Sequence, residues 1–235
     1  PAALVSGATT LLWNTVHQTL LLGQPSGKLL VLQAATGETL HHWNITTQGI
    51  EAMALSTDAR FLAIGTEQGV IILWDMTETL RVRQWSAHSG PIGTLAFHPA
   101  VTLLTLASGS SDGVVRAWSC REGKLVQAWS GHQGSITAVA FQPDGQTLLS
   151  ASTDRTIRAW PMESTTALVS ANQEMETVLQ LIVLPPETLW LIRKNGVFSV
   201  WDLSSGVCWD HGSLGFSPPC QVSVDFPESA LLRVT

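Results

Sequence analysis

The feature that most constrains this chain is a repeat. Residues Leu106–Trp118 (LASGSSDGVVRAW) and Leu148–Trp160 (LLSASTDRTIRAW) share Ser108/Ser150, Asp112/Asp154, Arg116/Arg158 and Trp118/Trp160 at an offset of 42. A polar turn position recurs at Ser26, Gln68, Asp112, Asp154 and Asn195, in steps of 42, 44, 42 and 41. Six residues after each lie Leu32, Trp74, Trp118, Trp160 and Trp201, which makes five full copies. A repeat of this length marks one supersecondary unit stacked on copies of itself, because a single unit cannot bury its own apolar face.

Each copy divides into four short apolar stretches separated by turn residues, as in Ile136–Phe141, Thr147–Thr153, Thr156–Trp160 and Thr166–Ser170, so four strands per copy are expected. The turns carry Ser26-Gly27, Gln68-Gly69, Asp112-Gly113, Asp154-Arg155 and Asn195-Gly196, mostly pairs whose second residue accepts positive φ in a two-residue hairpin. Asp154-Arg155 is the exception, and a turn of another type is expected there. No stretch sustains a 3.6-residue apolar period, so helices are not expected.

Composition narrows the function classes. Charged residues are 13% against 45% apolar, which excludes a disordered acidic chain and a solvated coiled coil. Net charge is −6 with no Lys/Arg run, which argues against nucleic acid as the main partner. No apolar run approaches the roughly 18 residues that span a bilayer, so membrane insertion is not expected. Cys120, Cys208 and Cys220 form an odd set without a CxxC pair, which suits a reducing, cytoplasmic compartment. Asn44-Ile45-Thr46 is a glycosylation sequon without a secretory context to go with it.

The copies resemble WD40 repeats. The marks are Trp74-Asp75 and Trp201-Asp202, the altered endings Trp118-Ser119 and Trp160-Pro161, Gly131-His132, and Ala87-His88 where Gly-His is usual. The resemblance covers almost the whole chain and implies an all-β propeller of four-stranded antiparallel blades. It also implies a buried tetrad of entry-loop His, second-strand Ser or Thr, turn Asp and third-strand Trp. Two copies carry it whole: His88, Ser108, Asp112 and Trp118, with Ser110 as the alternative serine, and His132, Ser150, Asp154 and Trp160. The copy ending at Trp74 has Ile64 and Gln68 in the Ser and Asp places, the copy ending at Trp201 has Leu191 and Asn195, and the first has Leu32 for Trp. Those three blades are expected to rest on apolar packing. The tryptophans fall in apolar columns, Trp43, Trp85 and Trp129 each 17 residues after a turn position, and are assigned to blade-to-blade packing.

Ala2–Gly7 reads as the fourth strand of an earlier blade, and Gln221–Phe226 and Ala230–Thr235 as the first two strands of a later one. Residues 1–235 are therefore read as a single propeller domain, an incomplete segment of a longer protein whose ring is expected to have seven blades, with six as the lesser option.

Chemistry is sparse. His88 and His132 belong to the tetrads, His41-His42 alternate across a strand, and Cys208 with His211 make a lone C-x-x-H, so neither catalytic residues nor a metal site is expected. No phosphate-cradling GxxxxGK occurs, and no cofactor is implied. Trp118-Ser119-Cys120-Arg121 departs from the Trp-Asp-x-Arg docking ending at Ser119. Arg81, Arg83, Arg116, Arg155 and Arg158 read as strand decoration rather than as an acidic-partner site. What remains is recognition: a non-enzymatic platform for other proteins or peptides within a larger complex, with Glu67, Ser89, Ser111, Gln133, Thr153, Arg155 and Lys194 on the binding face. A regulatory sensor propeller attached to an NTPase or other enzyme is the second reading.

Overall fold

Middle strands covered on both faces read as continuous apolar runs, whereas outer strands alternate or turn polar, and this contrast orders each blade. The computed structural model describes residues 7–100, 102–162, 169–172, 178–184, 188–193, 196–202, 208–213, 222–225 and 231–234. No helix occurs among them.

Blade 1 is β1 (Thr10–Asn14), β2 (Thr19–Gly23), β3 (Lys28–Gln33) and β4 (Thr39–Asn44). Blade 2 is β5 (Ile50–Leu55), β6 (Phe61–Thr66), β7 (Val70–Asp75) and β8 (Leu80–Ser86). Blade 3 is β9 (Ile92–Phe97), β10 (Thr105–Ser110), β11 (Val115–Ser119) and β12 (Lys124–Trp129). Blade 4 is β13 (Ile136–Phe141), β14 (Thr147–Ser152), β15 (Thr156–Pro161) and β16 (Val169–Asn172). Blade 5 is β17 (Val178–Leu184), β18 (Thr188–Arg193), β19 (Val197–Asp202) and β20 (Cys208–Ser213), and an antiparallel pair follows, β21 (Val222–Asp225) with β22 (Leu231–Val234). Every blade is an antiparallel meander in chain order. The five full copies are thus five blades of a β-propeller.

The fourth strand of blade 4 is described over Val169–Asn172; the earlier part of the expected stretch, 166–168, lies outside the described residues, as do 2–6 of the expected leading strand. The hairpin expectation needs correction. Each turn is closed by the amide of its positive-φ residue bonding three residues back, Gly27 to Gln24, Gly69 to Thr66, Gly113 to Ser110, Arg155 to Ser152 and Gly196 to Arg193. That is a turn followed by a left-handed residue, the longer hairpin class, not the two-residue one. Arg155 is no exception to it, for it takes φ 65° where Gly69 has 77°. Gly69 has no such latitude: a Cβ there would lie 2.2 Å from the His88 carbonyl oxygen.

The core lies between blades. Leu21, Leu29, Ile50, Leu62 and Ile64 join blades 1 and 2, and Ala63, Leu73, Ile92, Leu106 and Trp118 join blades 2 and 3. Outer-strand tryptophans reach the next blade's third-strand tryptophan, Trp43 to Trp74 at 6.1 Å, Trp85 to Trp118 at 6.0 Å and Trp129 to Trp160 at 6.3 Å between ring centroids. Near the axis a second joint repeats. The Ile50, Ile92 and Ile136 methyls fill the space that a Cβ on Gly23, Gly65 and Gly109 would need, at 2.6, 2.7 and 2.4 Å.

Candidate functional site

The tetrads tie three elements of one blade together. His88, in the connection from β8 to β9, sets Nδ1 3.0 Å from Asp112 Oδ2 in the β10–β11 turn, while its Nε2 lies 2.7 Å from Ser108 Oγ. Trp118 Nε1 donates to the same hydroxyl at 2.8 Å. With Nδ1–H donating to the carboxylate, Nε2 is left as the acceptor for the serine proton, so every polar group is matched. Ser110, the alternative serine, instead donates to the Gly90 carbonyl. Blade 4 repeats the geometry: His132 to Asp154 at 2.9 Å, His132 to Ser150 at 2.8 Å and Trp160 to Ser150 at 2.8 Å.

Burial pushes both imidazoles below their ordinary value of 6.5, outweighing the pull of the facing carboxylates. Burial also opposes charge on Asp154, yet donors from Gln133, Thr156 and His132 hold its carboxyl at about 2. Both shifts act with the same sign. As pH falls through 6.5 the unfolded imidazoles take up protons that the buried ones refuse, and below 3.8 the unfolded carboxyls do so before Asp154. The unfolded state then binds more protons, so stability falls with pH in both windows. The urea midpoint is expected to drop between pH 7.5 and 5.5 and again below pH 4; a midpoint that is level or rising between pH 7.5 and 5.5 contradicts neutral tetrad histidines.

The blades without a tetrad are less uniform than expected. In blade 2, Ile64 leaves Trp74 Nε1 buried without a hydrogen-bond partner, and apolar packing holds the site. Blade 5 corrects the expectation of purely apolar support. Its Trp201 Nε1 donates to Ser199 Oγ at 2.9 Å, from its own strand β19, and Arg193 donates to the same oxygen.

The same carboxylates position a rim of exposed residues. Asp112 accepts from the Ser89 amide at 3.4 Å and Asp154 from the Gln133 amide at 2.8 Å. The amides of Glu67, Ser111 and Thr153 bond the carbonyls of Gly49, Pro91 and Ser135 in the loops that enter their blades. Glu67, Ser89, Ser111, Gln133, Thr153 and Arg155 are all exposed on this edge, and Lys194 lies outside the described residues. Sequence reasoning missed Gln48, whose Nε2 donates to Gln68 Oε1 at 2.8 Å and so links entry loop to turn where blade 2 lacks the aspartate. Its only signal was the glutamine at position 68.

Residues 80–119 and 123–161 match the family model "WD domain, G-beta repeat". The chain thus carries WD40 repeats over about a third of its length. Transducin beta-like protein 3 of Rattus norvegicus is 29% identical to this WD40 protein over 200 residues, 78% of the chain and 25% of that relative. Anaphase-promoting complex subunit cdc20 of Dictyostelium discoideum is 31% identical over 81 residues, 29% of the chain and 16% of that relative. The chain thus spans a quarter or less of these relatives' length. A solved structure of U3-55K superimposes with a TM-score of 0.78 at 18% identity, covering 95% of this chain and 68% of that one, which shows a shared fold.

Little else in this WD40 propeller invites chemistry. Cys120 is buried in the core shared by blades 2 and 3, and burial pushes its thiol up to about 12, so it behaves as a small apolar side chain. The side chain of His211 lies outside the described residues.

Proposed function

We propose that this chain is a non-enzymatic interaction platform, a propeller that holds other proteins or peptides within a multiprotein assembly in the cytoplasm. The observation that carries the reading is the rim. Exposed side chains of mixed chemistry stand on backbone that is hydrogen-bonded to the entry loops, so the surface is presented without the entropy loss of ordering a mobile loop. The tetrads act at one remove, because Asp112 and Asp154 hold Ser89 and Gln133 in place. The names of two relatives, one a subunit of the anaphase-promoting complex, are consistent with this role.

The test is affinity purification of the intact protein beside a variant with Glu67, Ser111, Thr153 and Arg155 all changed to alanine. Stoichiometric partners are expected with the parent and should fall at least about 10-fold with the variant, since few residues carry most of an interface's energy. Undiminished partners on a variant with the parent's urea midpoint would remove the rim from the function.

A further inference from the structure

On the edge opposite the rim, blades 1 and 2 leave a cleft of about 600 Å³. Val31, Leu40, Trp43 and Met76 supply its apolar surface, and Asp58 and Glu78, from the β5–β6 and β7–β8 turns, supply carboxylates. The two turns are clipped together, since the Met76 amide bonds the Arg60 carbonyl at 2.8 Å and Arg60 Nε donates to Asp75 at 3.1 Å. Arg60 is therefore already matched to a carboxylate. No ion pair reaches Glu78 or Asp58 among the described residues.

The next interface shows what such a space accepts. Between blades 2 and 3 the Arg83 side chain crosses to the β11–β12 turn, where a Cβ on Gly123 would lie 2.7 Å from its Cδ and 3.6 Å from Trp85. Beside it, Glu122 is paired with Lys124 at 3.2 Å. The repeat maps Arg83 onto His41, Trp85 onto Trp43, Glu122 onto Glu78, Lys124 onto Leu80 and Gly123 onto Thr79, which keeps a positive φ of 52° where Gly123 has 68°. Aromatic and acid are retained while both cations are gone. His41 does not cross but stacks on Trp43 of its own strand at 5.3 Å.

We infer that the cleft between blades 1 and 2 is a docking site for a basic segment of a partner protein, which lays the aliphatic stem of an arginine or lysine along Trp43 and its cationic head against Glu78 and Asp58. The partner's side chain takes the place that Arg83 fills one interface further on. Long cationic side chains suit this site because stem and head need different surroundings, and an aromatic face adds cation–π attraction.

The experiment titrates short fluorescein-labelled peptides, identical but for a central arginine or glutamate beside leucine, into the intact protein and follows polarisation. The arginine peptide is expected to bind saturably and about 10-fold or more tighter than the glutamate one. Glu78→Gln should weaken it about 2–5-fold, the scale of a partly exposed ion pair. His41→Arg, which supplies the chain's own guanidinium, should abolish binding while the urea midpoint is kept. The rim variant should bind as the parent does, so this site and the rim stand or fall separately. Equal affinity for the two peptides, or arginine-peptide binding that survives His41→Arg, overturns the assignment.

Discussion

Replacing Ser150 by alanine is expected to lower the free energy of unfolding by roughly 2–5 kcal/mol, because two buried groups lose their partner at once and each unsatisfied group costs about 1–3 kcal/mol. The hydroxyl is wholly buried and serves both His132 Nε2 and Trp160 Nε1. Water cannot substitute without opening the blade interface, since Trp160 is only 1% exposed. Urea denaturation of the parent, Ser150→Ala and Ser110→Ala checks it. Ser110→Ala loses a bond to the Gly90 carbonyl and one from the Asp112 amide and should cost about 1–2 kcal/mol. A Ser150→Ala loss within the roughly 0.5 kcal/mol of an ordinary surface change would show that the tetrad is ornament.

Gly109→Ala should destabilise by about 1–3 kcal/mol, the usual cost of overpacking a closed interior. The added methyl would stand 2.4 Å from Ile136 Cγ2, 2.8 Å from Thr94 Cγ2 and 2.9 Å from Ile136 Cβ, and these atoms are themselves packed. One joint further on, the chain makes the exchange itself. Ala151 occupies the glycine column and Val178 the isoleucine column, and the two share one core cluster. Adding Ile136→Ala, which removes the Cγ2 methyl, to Gly109→Ala should recover part of the loss, although Ile136→Ala alone costs about 2–5 kcal/mol. A double-mutant cycle reads this as a coupling of at least about 0.5 kcal/mol. Strict additivity would mean that the two residues do not share their space.

Much of this architecture is legible in the repeat, and its limits are physical. Offset alone aligns Asp112 with Asp154 and Trp118 with Trp160, and the strands follow from the apolar stretches between turns. Offset cannot choose between Ser108 and Ser110, which lie two apart on one face of β10; the choice depends on which hydroxyl the Trp118 indole reaches. Nor does it reveal Ser199, which serves Trp201 from a different strand than the tetrad serine does. Arg155 escaped for another reason. Glycine marks a left-handed turn clearly, but an arginine held there by its neighbours leaves no mark in composition. The cleft beside Trp43 is hidden most deeply, because columns report what is alike among blades while a cleft arises where one blade departs from the next.

The paired exchange of Ala151 for glycine and Val178 for isoleucine bears on how such a ring can be assembled or rearranged. Joints built on Gly23, Gly65 and Gly109 accept one common fitting, so a blade could in principle be duplicated or exchanged among them with its isoleucine still finding a seat. The joint after blade 4 is cut to a different key. A blade that leads with isoleucine would bring one methyl more to Ala151 than Val178 does, and blade 5 placed elsewhere would bring one fewer to a glycine seat. Blade order is thus written into the joints as well as into the chain.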